Sequence, residues 1–182
     1  MRPLLAAAVA AATLAPAPPS SPLAQEPAVA GVRVYYGPGV DFGGIDGKLI
    51  SQARSSIDMA AYVLTDRALI GALGQAAMRG VRVRIYLDGE EAARSNAVVA
   101  DIAATPNVEL RRKGRSRDLM HLKSYQVDGR LLRTGSANFS VSGETYQDND
   151  LLVIESPEAV QSFEKAFERM WARADNQRIG SR

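Results

Sequence analysis

Short apolar runs alternate with helix-like segments through the first two thirds of the folded part of this chain, and few architectures accept that rhythm. Residues 32–35 alternate apolar and polar side chains and stop at Gly37-Pro38-Gly39, which predicts a strand closed by a turn. A helix is expected over 48–55, and the apolar run 57–63 suits a buried strand. Thr65-Asp66 then caps a helix whose apolar face is Leu69, Ile70, Leu73, Ala76 and Ala77, stopped by Gly80. A strand over 81–87, a helix over 94–104 ending before Pro106, and a short strand over 108–110 complete a β-α-β-α-β-α-β series. Such spacing calls for an α/β fold, a mostly parallel mixed β-sheet flanked by helices on both faces.

The rhythm then changes. Residues 124–127 and 131–134 flank Asp128-Gly129, a pair that favours a type I′ turn, so a hairpin is expected. Residues 151–154 form a last apolar strand. Ser156-Pro157 opens a final helix, with Ser as N-cap and Pro at N1, carrying Val160, Phe163, Phe167, Met170, Trp171 and Ala174 on one face. One domain over 31–175 with a tail over 176–182 accounts for this part of the chain.

The first thirty residues read differently. Met1-Arg2 is a short positive start, residues 4–14 are Leu, Ala and Val apart from Thr13, and six of the nine prolines fall in the first 30 positions. That is a signal-peptide pattern, too short in its apolar part to span a bilayer. Residues 1–24 are expected to be a signal peptide and 25–30 a linker, with export to the periplasm or the medium. The absence of Cys suits an oxidising compartment.

With one His and no Cys, the chain cannot build a structural zinc site. That His lies in Met120-His121-Leu122-Lys123, at the mouth of the predicted hairpin. Alternation along a strand would put His121 and Lys123 on one face, and pairing of the hairpin strands would bring Gly135-Ser136-Ala137-Asn138 beside them. A nucleophile or base, a cation and two neutral donors suit a phosphodiester. His attacks phosphorus or relays a proton, Lys balances the non-bridging oxygens, and Ser136, Asn138 and backbone N–H groups hold developing charge. This chemistry needs no metal and no cofactor. Tyr62, at the end of its strand, is placed to pack at the rim of such a cleft.

The spacing His121-x-Lys123, four residues, Asp128, six residues, Gly135-Ser136-x-Asn138 resembles the HxKx4Dx6GSxN signature of the phospholipase D superfamily. The segment Ile57-Asp58-Met59-Ala60-Ala61-Tyr62, the strand after Arg79-Gly80, and Asp148-Asn149-Asp150 extend the likeness to the small secreted bacterial endonucleases of that superfamily. The resemblance implies a phospholipase D-like single domain and a two-step reaction through a phosphohistidine on His121. A second motif's His protonates the leaving oxygen, and Lys123, Ser136 and Asn138 bind phosphate. Asp128 belongs to the motif, yet its place in an Asp-Gly turn accounts for it without catalysis. Asp148 and Asp150 are the acids near the position where the family often has a Glu that orients the His.

Because the chain holds a single His, the resemblance implies a homodimer that shares one active site between two copies of His121. The formal charge of +2 says little, but Arg111, Arg112, Lys113, Arg115 and Arg117 concentrate five bases in seven residues just before His121. A basic loop there would follow a nucleic-acid backbone without reading bases. Nucleic acid is thus the expected substrate, DNA or RNA, with a phospholipid head-group ester as the alternative.

Overall fold

A computed structural model describes residues 31–114 and 118–180. The expected signal peptide and linker, and Arg115 and Arg117 of the basic run, lie outside the described residues.

The parallel series forms as its spacing demands. Strands β2 (Ser56–Ala61), β3 (Arg82–Leu87) and β4 (Val108–Arg112) pair in parallel. The helices between them are α2 (Arg67–Met78), then α3 (Gly89–Arg94) and α4 (Asn96–Ala103). Strand β1 (Val32–Tyr36) and α1 (Phe42–Ser51) come before, and β5 (Lys123–Val127), β6 (Leu131–Gly135), α5 (Val141–Thr145), β7 (Asp150–Ile154), α6 (Pro157–Trp171) and β8 (Gln177–Ile179) follow. The sheet is mixed, in the order β1-β7-β6-β5-β2-β3-β4-β8, with antiparallel pairings on both sides of the parallel centre.

Period-two burial sorts the strands between two cores. Ile57, Met59, Val83, Ile85, Tyr125 and Val127 face α1, α2 and α4 and form the larger one. Ala60, Tyr86 and Leu132 point the other way, where Val160, Phe163, Phe167, Met170 and Trp171 of α6 cover them. Helices therefore protect both faces, as a parallel centre requires.

Capping chemistry moves several boundaries from their expected places. Asp41 accepts from Gly44 N at 2.9 Å and starts α1 at Phe42, six residues before the start expected from apolar spacing. Asp88 accepts from Glu90 N and Glu91 N, which starts α3, and the expected single helix over 94–104 is broken at Ser95 into α3 and α4. Strand β1 sits at the sheet edge, antiparallel to β7, so it does not open the parallel series. Residues 177–179, expected in a tail, form β8 against β4, and Ala174 lies beyond the end of α6. Short strands of three residues at an edge carry almost no periodic signal. Ser156 caps α6 as its sequence predicts, accepting from Ala159 N at 3.3 Å.

Candidate active site at the carboxyl end of the parallel strands

Antiparallel pairing of β5 with β2 and with β6 brings the motif together at one end of the sheet. Lys123 opens β5 opposite Ala61, the last residue of β2, and Tyr62 N donates to Leu122 O at 2.8 Å. Across the hairpin Tyr125 faces Arg133, and the Ser124 and Thr134 hydroxyls meet at 2.8 Å, so the strand register carries Lys123 to Gly135. The turn joining them is Asp128-Gly129, both with positive φ (56° and 65°), as a type I′ turn requires.

His121 is exposed and lies just before β5, so strand alternation does not place it. Its neighbours do. The ring of Tyr62 packs against the imidazole, centroids 4.4 Å apart and planes tilted by 55°. The Lys123 ammonium donates to His121 O at 2.8 Å and sits 4.7 Å from the centroid of the Tyr62 ring. Lys123 is only 6% exposed, and this desolvation pulls its pKa below the ordinary lysine value. A buried ammonium with few partners is a cation short of an anion, which is what a phosphate supplies.

Gly135 has φ of 146°, and a Cβ there would collide with the Asp150 carbonyl oxygen, so the motif's glycine lets β6 approach the start of β7. Ser136 follows as a clasp. Its hydroxyl donates to Asn149 Oδ1 at 3.0 Å and accepts from Asp150 N at 2.9 Å, while Ser136 N donates to Asp150 Oδ1 at 3.0 Å. In this state the hydroxyl proton is committed to Asn149, so the free donors at this end come from elsewhere. Asn138 is half-buried, and its Oδ1 is buried without a partner.

Asp128 stands apart from the cluster. Its carboxylate accepts from Arg54 N, Ser55 N, Ser55 Oγ and Ser56 N at 2.8 to 3.2 Å. Partial burial opposes ionisation, but these bonds outweigh it and hold the carboxyl below its usual pKa. It ties the hairpin turn to the loop entering β2. Asp148 is exposed, and neither it nor Asp150 hydrogen-bonds His121.

Residues that the sequence did not single out hold the site from below. Arg133, fully buried in β6, makes a bidentate pair with Asp46 of α1 (Nε to Oδ1 3.0 Å, Nη2 to Oδ2 2.8 Å), and Tyr125 Oη donates to the same Asp46 at 2.8 Å. Arg133 Nη1 donates to Lys123 O at 2.9 Å and Ala137 O at 3.4 Å, so one guanidinium grips both halves of the motif. A charged residue inside the apolar run Leu131-Leu132-Arg133 is the signal that could have revealed it. Beside this pair Glu144 is buried, and burial, a hydrogen bond with Asp66 and the charges of Asp46 and Asp66 push its pKa up to about 9. It is a neutral acid at pH 7. Among the described residues no group of three or more His, Asp or Glu side chains is arranged to hold a metal ion.

The basic run is partly absorbed by the fold. Arg111 and Arg112 belong to β4 and not to a loop. Arg111 stacks on Trp171, 4.4 Å from its ring centroid, and donates to Trp171 O at 2.7 Å, whereas Arg112 donates to Gln177 of β8 at 2.8 Å. Lys113 donates to Asp118 O. A groove of about 740 Å³ runs past Asp88, Arg112, Lys113, Gly114 and Leu119, and Asp88 Oδ2 accepts from Met120 N at 2.9 Å, next to His121.

A mixed sheet that gathers His-x-Lys and Gly-Ser-x-Asn from neighbouring strand ends defines a phospholipase D-type domain. Residues 47–171 match the family described as "Cardiolipin synthase, PLD-like domain", and the chain belongs to that family. Among relatives, it is 28% identical over 127 residues to a mitochondrial cardiolipin hydrolase of Xenopus tropicalis, covering 70% of this chain and 60% of that protein. It is 30% identical over 115 residues to a phospholipase D of Rickettsia felis, covering 63% of this chain and 56% of that one. The chain thus spans little more than half the length of these relatives. Among solved structures, the phospholipase D family member Nuc of Salmonella typhimurium superposes with a TM-score of 0.74 at 28% identity, over 82% of this chain and 98% of that one. NucT of Helicobacter pylori has the same fold, with a TM-score of 0.70 at 24% identity over 77% and 94%.

Proposed function

We propose that this chain is an exported phosphodiesterase whose nucleophile is His121 and whose phosphate-binding cation is Lys123. The observation that carries the proposal is the buried ammonium of Lys123 tied to the backbone of an exposed, ring-packed His121 at the mouth of the sheet.

The neutral imidazole attacks phosphorus, forming a P–N bond as the P–O bond to the leaving group breaks. The leaving oxygen takes a proton from a second imidazole. Water, giving its proton back to the same nitrogen of that second imidazole, then attacks the phosphohistidine, and the P–N bond breaks to free His121. Lys123, the Asn138 amide and backbone N–H groups hold the charge that develops on the non-bridging oxygens. One His per chain supplies only one imidazole, so two copies sharing the cleft, an isologous homodimer, complete the set. Exposed apolar side chains stand near this end of the molecule and suit such a contact. They are Leu122 beside His121, Val141 and Tyr146 on and after α5, and Tyr36 across from Asp150.

Nucleic acid is the substrate this reading favours. It rests on the resemblance of the motif region to small secreted endonucleases and on Arg112 and Lys113, which line the groove beside the segment entering His121. The phospholipid alternative is favoured by the names of the relatives, cardiolipin hydrolase and phospholipase D. Incubating residues 25–182 in EDTA with plasmid DNA, RNA and phosphatidylcholine vesicles separates the two. Nicked DNA or shortened RNA with intact lipid, abolished by His121→Ala, is the expected result. Release of choline alone would transfer the assignment to the lipid, and no product from any substrate would refute the phosphodiesterase.

A further inference from the structure

The backbone on both sides of His121 is pinned. Met120 N is bound to Asp88 and Leu122 O to Tyr62 N. The imidazole itself is exposed and, among the described residues, makes no hydrogen bond; its ring contact is with Tyr62. The same Tyr62 ring lies 4.7 Å from the Lys123 ammonium, inside the range of a cation–π contact. One aromatic ring therefore touches both the nucleophile and the phosphate cation. It is half-buried where β2 ends, and its hydroxyl makes no hydrogen bond among the described residues, so the ring is the part in use.

We infer that Tyr62 is a positioning residue. Its ring holds the His121 imidazole in the orientation for attack and keeps Lys123 at a set distance from it, an inference that rests on the phosphodiesterase reading above. An exposed imidazole without this contact would spread over several rotamers, and a nucleophile displaced by about 1 Å can lose roughly a hundredfold in rate. The ring is flat, apolar and electron-rich on its face, so it satisfies both neighbours without donating a hydrogen bond to the nitrogen lone pair with which His121 attacks.

The test compares Tyr62→Phe, Tyr62→Leu and Tyr62→Met on bis(p-nitrophenyl) phosphate, a substrate too small to depend on distant contacts. Tyr62→Phe should keep kcat within about threefold, whereas Tyr62→Leu and Tyr62→Met should lower it about tenfold to a hundredfold with KM little changed. A second readout is independent of turnover. His121 is the sole histidine, so its ring C–H signals in NMR are unambiguous. They should carry a ring-current displacement in wild type and Tyr62→Phe that vanishes in Tyr62→Leu. Wild-type kcat in Tyr62→Leu, or unmoved His121 signals, overturns the inference while leaving the phosphodiesterase intact. Equal loss in Tyr62→Phe and Tyr62→Leu also overturns it, because the hydroxyl would then be the working group. A wild type that hydrolyses nothing brings down the phosphodiesterase reading instead, and with it the positioning role.

Discussion

Lys123 and Glu144 are both buried ionisable groups near the motif, and burial drives each toward its neutral form, downward in pKa for the base and upward for the acid. For Lys123 an arriving phosphate reverses the penalty, so the cation is worth most in the complex. Replacing it by Met should abolish hydrolysis in EDTA, as should His121→Ala. Activity removed by EDTA and restored by Mg²⁺ would count against the assignment, which is checked by nicking assays with and without chelator. For Glu144 the consequence is in stability. Its folded pKa, about 9, lies above the unfolded value near 4.5. The stabilising proton is thus fully bound in the folded state at low pH, and that contribution is lost as pH rises from the unfolded pKa through the folded one. The slope approaches about 1.4 kcal/mol per pH unit in that window. Glu144→Gln keeps the shape and the donor to Asp66 without a proton to lose. Urea unfolding from pH 5 to 9 should show the variant flat where the wild type declines, and parallel curves would contradict a neutral Glu144.

At the level of elements, the hairpin β5–β6 is held from two directions. Its turn is tied by Asp128 to the loop entering β2, and its centre by Arg133 to Asp46 of α1. Asp46→Ala would strand a guanidinium with no exposure to solvent, and losses of about 3–5 kcal/mol are usual for such a break. Arg133 would lose the carboxylate that anchors its grip on Lys123 O and Ala137 O, so activity should fall along with the melting temperature. Asp128→Ala leaves the N–H groups of Arg54, Ser55 and Ser56 without their acceptor, at a cost of about 1–3 kcal/mol. Because hydrogen bonds depress its pKa, this contribution is present above the unfolded carboxyl value and fades as pH falls through the folded one. Thermal scans at pH 7 and pH 3 should show a gap between wild type and Asp128→Ala that narrows at the lower pH. The Asp-Gly turn was legible in sequence because two positive-φ positions need those residue types. The destination of the Asp128 carboxylate was not, since its partners lie more than seventy residues earlier.

At the scale of the molecule, one imidazole per chain and a reaction needing two lead to a test by sedimentation. The active species should be a dimer at assay concentration, and its rate should follow a bell-shaped pH profile belonging to the pair of His121 rings. A fully active monomer would refute the shared cleft. Local periodicity was enough to anticipate an α/β chain with helices on both faces, since period-two runs and period-3.6 faces are written in neighbouring residues. The motif was legible for the same reason, its six positions lying within eighteen residues. The edge place of β1, the addition of β8, the buried pairing of Arg133 with Asp46 and the meeting of the Tyr62 ring with His121 had no such signal. Each is a contact between segments far apart in the chain, and strand order, burial of a charge and the meeting of two rings exist only once the sheet has closed around them.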